Sequence, residues 1–78
     1  MASHKPYQGH RNRNAWNVAL YLFNEYRLYQ RMREIVKASR TLDEAADTLA
    51  NELAGQKTPD GVPYTRTNIR LALQNWEG

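Results

Sequence analysis

Thr41-Leu42-Asp43-Glu44-Ala45-Ala46-Asp47-Thr48-Leu49-Ala50-Asn51-Glu52-Leu53-Ala54-Gly55 is the stretch on which the fold class turns. Thr41 followed three residues later by Glu44 is a capping box, able to satisfy backbone N–H groups that a first helical turn leaves without partners. Leu42, Ala45, Ala46, Leu49 and Leu53 then recur with the period of a helix. Gly55, which tolerates positive φ, supplies the stop. A helix with this start, stripe and end needs other helices to cover its apolar side.

Both flanks provide them. Upstream, Leu28, Tyr29, Met32, Ile35 and Val36 form one stripe of a helix from about Glu25 to Ser39, with Asn24 as the expected cap and Arg27, Arg31, Arg33 and Lys37 on the other face. Before it, Ala15, Trp16, Val18, Ala19, Leu20, Leu22 and Phe23 wrap nearly all round a helix that Asn14 is placed to cap, as expected of a helix buried on several sides. Downstream, Thr58-Pro59-Asp60-Gly61 has tight-turn chemistry, because Pro presets φ, Asp bonds nearby backbone and Gly accepts φ > 0. Val62-Pro63-Tyr64 continues extended, since a residue before proline avoids the helical region. Thr65 then caps a fourth helix whose stripe is Ile69, Ala72, Leu73 and Trp76. The fold expected is all-α: a compact four-helix domain over residues 14–78, preceded by a flexible basic arm over 1–13. Its expected core is Trp16, Leu20, Phe23, Met32, Ile35, Val36, Leu49, Leu53, Ile69, Leu73 and Trp76, with Tyr29 and Tyr64 at the core edge.

A chain of 78 residues holds one small core. There is no cysteine, hence no disulfide and no thiolate metal site. The longest apolar run, Val18 to Phe23, is far too short to span a bilayer, and the polar N-terminus lacks the apolar segment of a secretory signal. The cytoplasm is therefore the expected location. Both histidines, His4 and His10, fall in the arm, and the carboxylates show no metal-ligand or acid/base spacing. This inventory points to a binding protein without cofactor or metal rather than to an enzyme.

Charge is divided along the chain. Residues 1–40 carry eight Lys/Arg against two Asp/Glu, and residues 41–78 carry three against six, for an overall +3. A basic half attracts polyanions by long-range electrostatics.

The segment Ala45 to Leu53, then Thr58-Pro59-Asp60-Gly61-Val62-Pro63-Tyr64-Thr65, then Asn68-Ile69-Arg70-Leu71-Ala72-Leu73-Gln74-Asn75, resembles the helix-turn-helix segment in the recombinase region of serine recombinases. The likeness covers under half the chain, and the catalytic serine domain has no counterpart. It implies a helix-turn-helix-like C-terminal helix pair with an enlarged turn. The chain as a whole, especially Trp16-Asn17-Val18 to Asn24 together with Thr58 to Thr65, is similar to small phage and mobile-element proteins of unknown function, which implies a phage or plasmid setting and the host cytoplasm.

From these readings the leading expectation is a small DNA-binding regulator. Arg66, Thr67, Asn68, Arg70 and Gln74 would be the groove-facing side chains of the last helix, because Arg pairs two atoms of guanine and Asn or Gln two of adenine. Phosphate contacts would come from Lys57, from the N-terminal arm with Arg11 and Arg13, or from the second helix. The alternative is a host-directed protein-interaction factor, an inhibitor of a host enzyme or defence complex, using Tyr21 and Tyr26 as interface anchors. A homodimer is a third expectation, since so small a core gains from association.

Overall fold

The structure, a computed structural model, describes residues 13–74. It is all-α, with α1 at Arg13–Asn24, α2 at Tyr26–Ala38, α3 at Leu42–Glu52 and α4 at Arg66–Gln74. Each helix packs on two neighbours: α1 on α2 and α4, and α3 on α2 and α4. The opposite pairs, α1 with α3 and α2 with α4, do not meet. The helices therefore close into a four-membered ring around one core.

That core consists of one stripe from each helix. Val18, Leu22, Met32, Leu49, Ile69 and Leu73 are its largest fully buried side chains, with Ala45, Ala46 and Ala72 where helices approach closely. Alanine at those points lets the backbones draw together without leaving a void. Leu53, Ile35 and Tyr64 complete it, and Phe23, Leu28, Tyr29 and Val36 pack partly buried against its rim.

Two expected core residues of α1 are corrected. Trp16 and Leu20 are only half-buried, because Ala15, Val18, Ala19 and Leu22 form the stripe that faces the other helices. Trp16, Leu20 and Phe23 lie together on the shoulder of that stripe, spaced at i, i+4 and i+7. The helix is nevertheless covered on a second side, where Asn17 is buried opposite the core stripe by the 58–62 turn. Trp76 lies outside the described residues, as does the arm through residue 12.

Local chemistry sets each boundary. α1 begins at Arg13, so Asn14 stands inside the first turn rather than capping it. Asn24 does not cap α2: its amide donates back to the Leu20 carbonyl at 2.7 Å, closing α1, and Glu25 is the cap, its carboxylate accepting from Leu28 N–H at 2.9 Å. The break between α1 and α2 is thus a single residue. At α3 the Thr41 hydroxyl accepts from Glu44 N–H at 3.1 Å, while the Glu44 carboxylate reaches one residue further back, to Arg40 N–H at 2.9 Å. Gly55 ends the helix region at φ +82°. Thr65 caps α4 by accepting from Asn68 N–H at 3.1 Å.

Thirteen residues, 53–65, separate α3 from α4, against three or four in a simple helix-turn-helix. The surplus forms a small hairpin-like loop. Lys57 and Pro63 make an isolated antiparallel bridge, Thr58 N–H donates to the Val62 carbonyl at 2.8 Å, and Gly61, at φ +89°, donates to the Thr58 carbonyl at 2.8 Å. Only glycine takes that φ without strain.

Candidate nucleic-acid interface

The side chains expected to read the groove stand on α4. Its buried side is Asn68, Ile69, Ala72 and Leu73. Asn68 is therefore not on the outward face: it is 8% exposed, and its amide donates to the Pro63 carbonyl at 3.1 Å, fastening the end of the loop to the start of the helix. Its amide is thus committed to the loop, and a base edge would have to displace the Pro63 carbonyl to engage it.

Arg66 and Arg70 keep accessible surface but are engaged by α3. Arg66 is hydrogen-bonded to Asp47 and lies 3.7 Å from Asp43, and Arg70 donates to Asp43 at 2.6 Å. Two carboxylates spaced by four residues on α3 thus face two arginines spaced by four on α4, one helical turn against another. The Arg70 bond holds the Asp43 carboxyl below the usual carboxylate range. One Arg70 nitrogen, Nη1, is buried with no acceptor. The remaining polar positions of the outer side of α4, Thr67 and Gln74, are exposed and uncharged. The α3–α4 edge is consequently close to neutral, since its acids and its arginines neutralise one another.

With Arg13 and Lys57 unpaired elsewhere among the described residues, most of the unspent positive charge lies on α2 and just beyond its end. Arg31 is consumed there, bridging Glu34 at 3.0 Å and Glu52 of α3 at 2.5 Å, which lowers the Glu52 carboxyl from its ordinary range. Among the described residues, Arg27, Arg33, Lys37 and Arg40 have no carboxylate partner. Tyr26, Gln30, Arg33 and Lys37 are all exposed and spaced at i, i+4, i+7 and i+11, so they make one line along the helix. Tyr26 is 71% exposed, the one large hydrophobic side chain so open among the described residues, and its hydroxyl accepts from the Gln30 amide at 3.0 Å. Arg33 lies 5.8 Å above the Tyr29 ring, a cation–π distance.

Other expected site residues are dispersed. Lys57 is exposed in the loop, Arg13 is exposed at the start of α1, and Arg11 lies outside the described residues. Tyr21 is not free for a partner in the way Tyr26 is: it is half-buried and its hydroxyl donates to Asp60 at 3.1 Å. Burial, reinforced by that carboxylate, raises the Tyr21 pKa.

Sequence reasoning missed the polar knot that holds the loop. Asn17, 7% exposed, donates to Asp60 Oδ2 at 2.8 Å and accepts from the Thr58 hydroxyl at 2.6 Å. Thr58, 4% exposed, accepts in turn from Asp60 N–H at 3.2 Å and Val62 N–H at 3.1 Å. A polar network whose centre, Thr58 with Asn17, is buried and hydrogen-bonded holds one geometry firmly. The available signal was Asn17 itself, a lone amide inside the apolar run of α1.

Among the described residues no three His, Cys, Asp or Glu side chains stand where they could hold a metal ion, and no helix is long and apolar enough to cross a membrane. The class these features define is a small all-helical domain whose polar chemistry is structural on α1 and α3–α4 and exposed on α2. Over residues 3–76 the chain matches a family described as a family of unknown function, DUF7249, and it belongs to that family. No curated protein and no solved structure gives a significant match.

Proposed function

We propose that this domain is a small DNA-binding regulatory module, of the phage or mobile-element kind that its sequence resemblances imply, and that it meets the phosphate backbone through the outer face of α2. One observation carries the reading: Arg27, Arg33, Lys37 and Arg40 have no carboxylate partner among the described residues, whereas the arginines of α4 are already paired with aspartates. A phosphate approaching α2 displaces only water and counterions. One approaching α4 must first compete with Asp43 and Asp47. Thr67 and Gln74 then remain as the uncharged groups of α4, suited to secondary contacts rather than to anchoring.

The test is binding of the full chain to duplex DNA across a salt series, because each neutralised phosphate adds about 0.9 to the slope of log K against log salt. The double variant Arg33→Ala, Lys37→Ala should reduce that slope by nearly two. Arg66→Ala, Arg70→Ala should leave it almost unchanged. The reverse ranking would return the interface to α4, and absence of binding at low salt would discard the DNA reading.

Tyr26 supports a second reading. An exposed tyrosine flanked by unpaired cations is also the composition of a hot spot for an acidic protein surface, as a host-directed factor would require. Stoichiometric capture of one host protein, lost on Tyr26→Ala while DNA fails to bind, would favour it.

A further inference from the structure

Between the first turns of α1 and the 58–62 turn lies an open concavity of about 490 Å³, within the size range of small-ligand sites. Arg13, Asn14, Trp16, Asn17, Asp60 and Val62 line it. Folding accounts for some of these groups and leaves others idle. The Asn17 amide accepts from Thr58 and donates one N–H to Asp60. Asp60 takes both of its side-chain donors, Asn17 and Tyr21, on Oδ2, so that among the described residues Oδ1 accepts nothing. Arg13 shares the concavity with Asp60 yet is paired neither with it nor with any other described carboxylate. Arg13 and Asp60 therefore line one space without pairing with each other, and half-buried Trp16 lines it with them.

A ligand that satisfies all three must carry an anionic or acceptor group for Arg13, an N–H for Asp60 and a flat unsaturated face for Trp16. We infer that the concavity binds one unpaired nucleotide, with the base against Trp16, its N–H groups toward Asp60 Oδ1, and the phosphate on Arg13. Base–aromatic stacking is tolerant of sequence because every base has a π-face. Each base also offers an N–H on the edge that pairing would otherwise occupy, so the site distinguishes unpaired from paired rather than one base from another. A base inside a duplex presents neither its face nor that edge. The inference goes beyond the α2 reading and does not depend on it, since a mononucleotide suffices to test it.

The experiment follows the indole N–H resonance of Trp16 in the full chain, assigned through a Trp76→Phe variant, during titration with dGMP, dAMP and deoxyribose 5-phosphate. Saturable shifts are expected with both nucleotides and not with the sugar phosphate. Arg13→Ala should weaken the nucleotide about tenfold, the scale of one charge-assisted hydrogen bond. Asp60→Asn should do the same while keeping an oxygen for Asn17 and Tyr21, because it places an N–H₂ where the idle oxygen stood. A melting curve for each variant separates lost binding from lost folding, and Arg33→Ala, Lys37→Ala should leave mononucleotide binding intact. The inference is overturned if millimolar nucleotide leaves the indole unmoved, if the sugar phosphate shifts it equally, or if folded Arg13→Ala binds as the unaltered chain does.

Discussion

Replacing Thr58 by valine keeps the shape of the side chain and removes one hydroxyl. That hydroxyl donates to Asn17 Oδ1 and accepts from the N–H groups of Asp60 and Val62. Valine strands all three. A buried polar group left without a partner costs about 1–3 kcal/mol. Asn17 Oδ1 is in the buried knot and bears the full cost, while the two turn N–H groups are partly accessible and recover some from water. The expected loss is about 2–4 kcal/mol, against a total stability of about 4–12 kcal/mol for a domain of this length. Urea unfolding followed by circular dichroism should show the midpoint falling with little change in slope, and the melting temperature should drop by more than about 10 °C. Thr58→Ser retains the hydroxyl and sacrifices only a methyl, which costs about 1 kcal/mol. The reasoning fails if Thr58→Val lies within about 0.5 kcal/mol of the unaltered chain, or if serine proves as damaging as valine.

Three further expectations follow from particular contacts. Leu49→Ala, at a site 1% exposed, should cost about 2–5 kcal/mol through lost burial and the remaining cavity, leaving the domain near its unfolding threshold in a thermal melt. Gly61, at φ +89° with nothing within 4 Å of an added Cβ, should lose about 1–2 kcal/mol on Gly61→Ala from backbone strain alone; D-alanine introduced there by chemical synthesis should instead stabilise by about 0.4–1 kcal/mol. The third concerns acid. Asp43 and Glu52 have their carboxyls lowered by hydrogen bonds from Arg70 and Arg31 respectively, so the stability these bonds supply is present above the ordinary carboxylate range and is lost as pH falls through the lowered values. Chemical denaturation at successive pH values should show this acid-side loss, smaller in Asp43→Asn and Glu52→Gln and weakened by salt, because the groups are exposed; an unchanged acid limb in the double variant would contradict it.

The four helices were legible because each has a period, and three of the starts bear on side chains that cap in isolation or nearly so. Thr41 and Thr65 cap as their spacing to Glu44 and to the α4 stripe suggests, whereas Asn24 and Glu25 both have capping chemistry and only the backbone path decides between them. The core of α1 was harder, since seven apolar residues in nine leave the helical face undetermined until neighbours choose it. They choose the alanine-rich stripe, which permits close approach, and leave Trp16 and Leu20 on the shoulder. The surroundings of the expected site were hidden for a related reason. Arg66 and Arg70 carry the residue type that reads guanine, but the type says nothing of what stands across the groove between helices. The spacing of Asp43 and Asp47, matched to that of Arg66 and Arg70, held the missing information, and it becomes readable only once α3 and α4 are known to lie side by side. Asn68 shows the same limit: an amide on a helix reads a base or closes a loop according to the neighbour it is given.

The knot at Asn17 bears on the order in which the chain assembles. Its partners at 58 and 60 are more than forty positions away, separated from Asn17 by 41 and 43 residues. Helices that follow one another in sequence meet across short connections, so α1–α2 and α2–α3 contacts form at small entropic cost, whereas docking the loop on α1 closes a ring containing more than half the chain. The knot therefore belongs with the long-range closures, alongside the packing of α4 on α1. Interactions made after the rate-limiting barrier govern escape rather than arrival, so if the Asn17, Thr58 and Asp60 bonds form there, Thr58→Val speeds unfolding and leaves the refolding rate unchanged, the behaviour of a clasp on the folded domain.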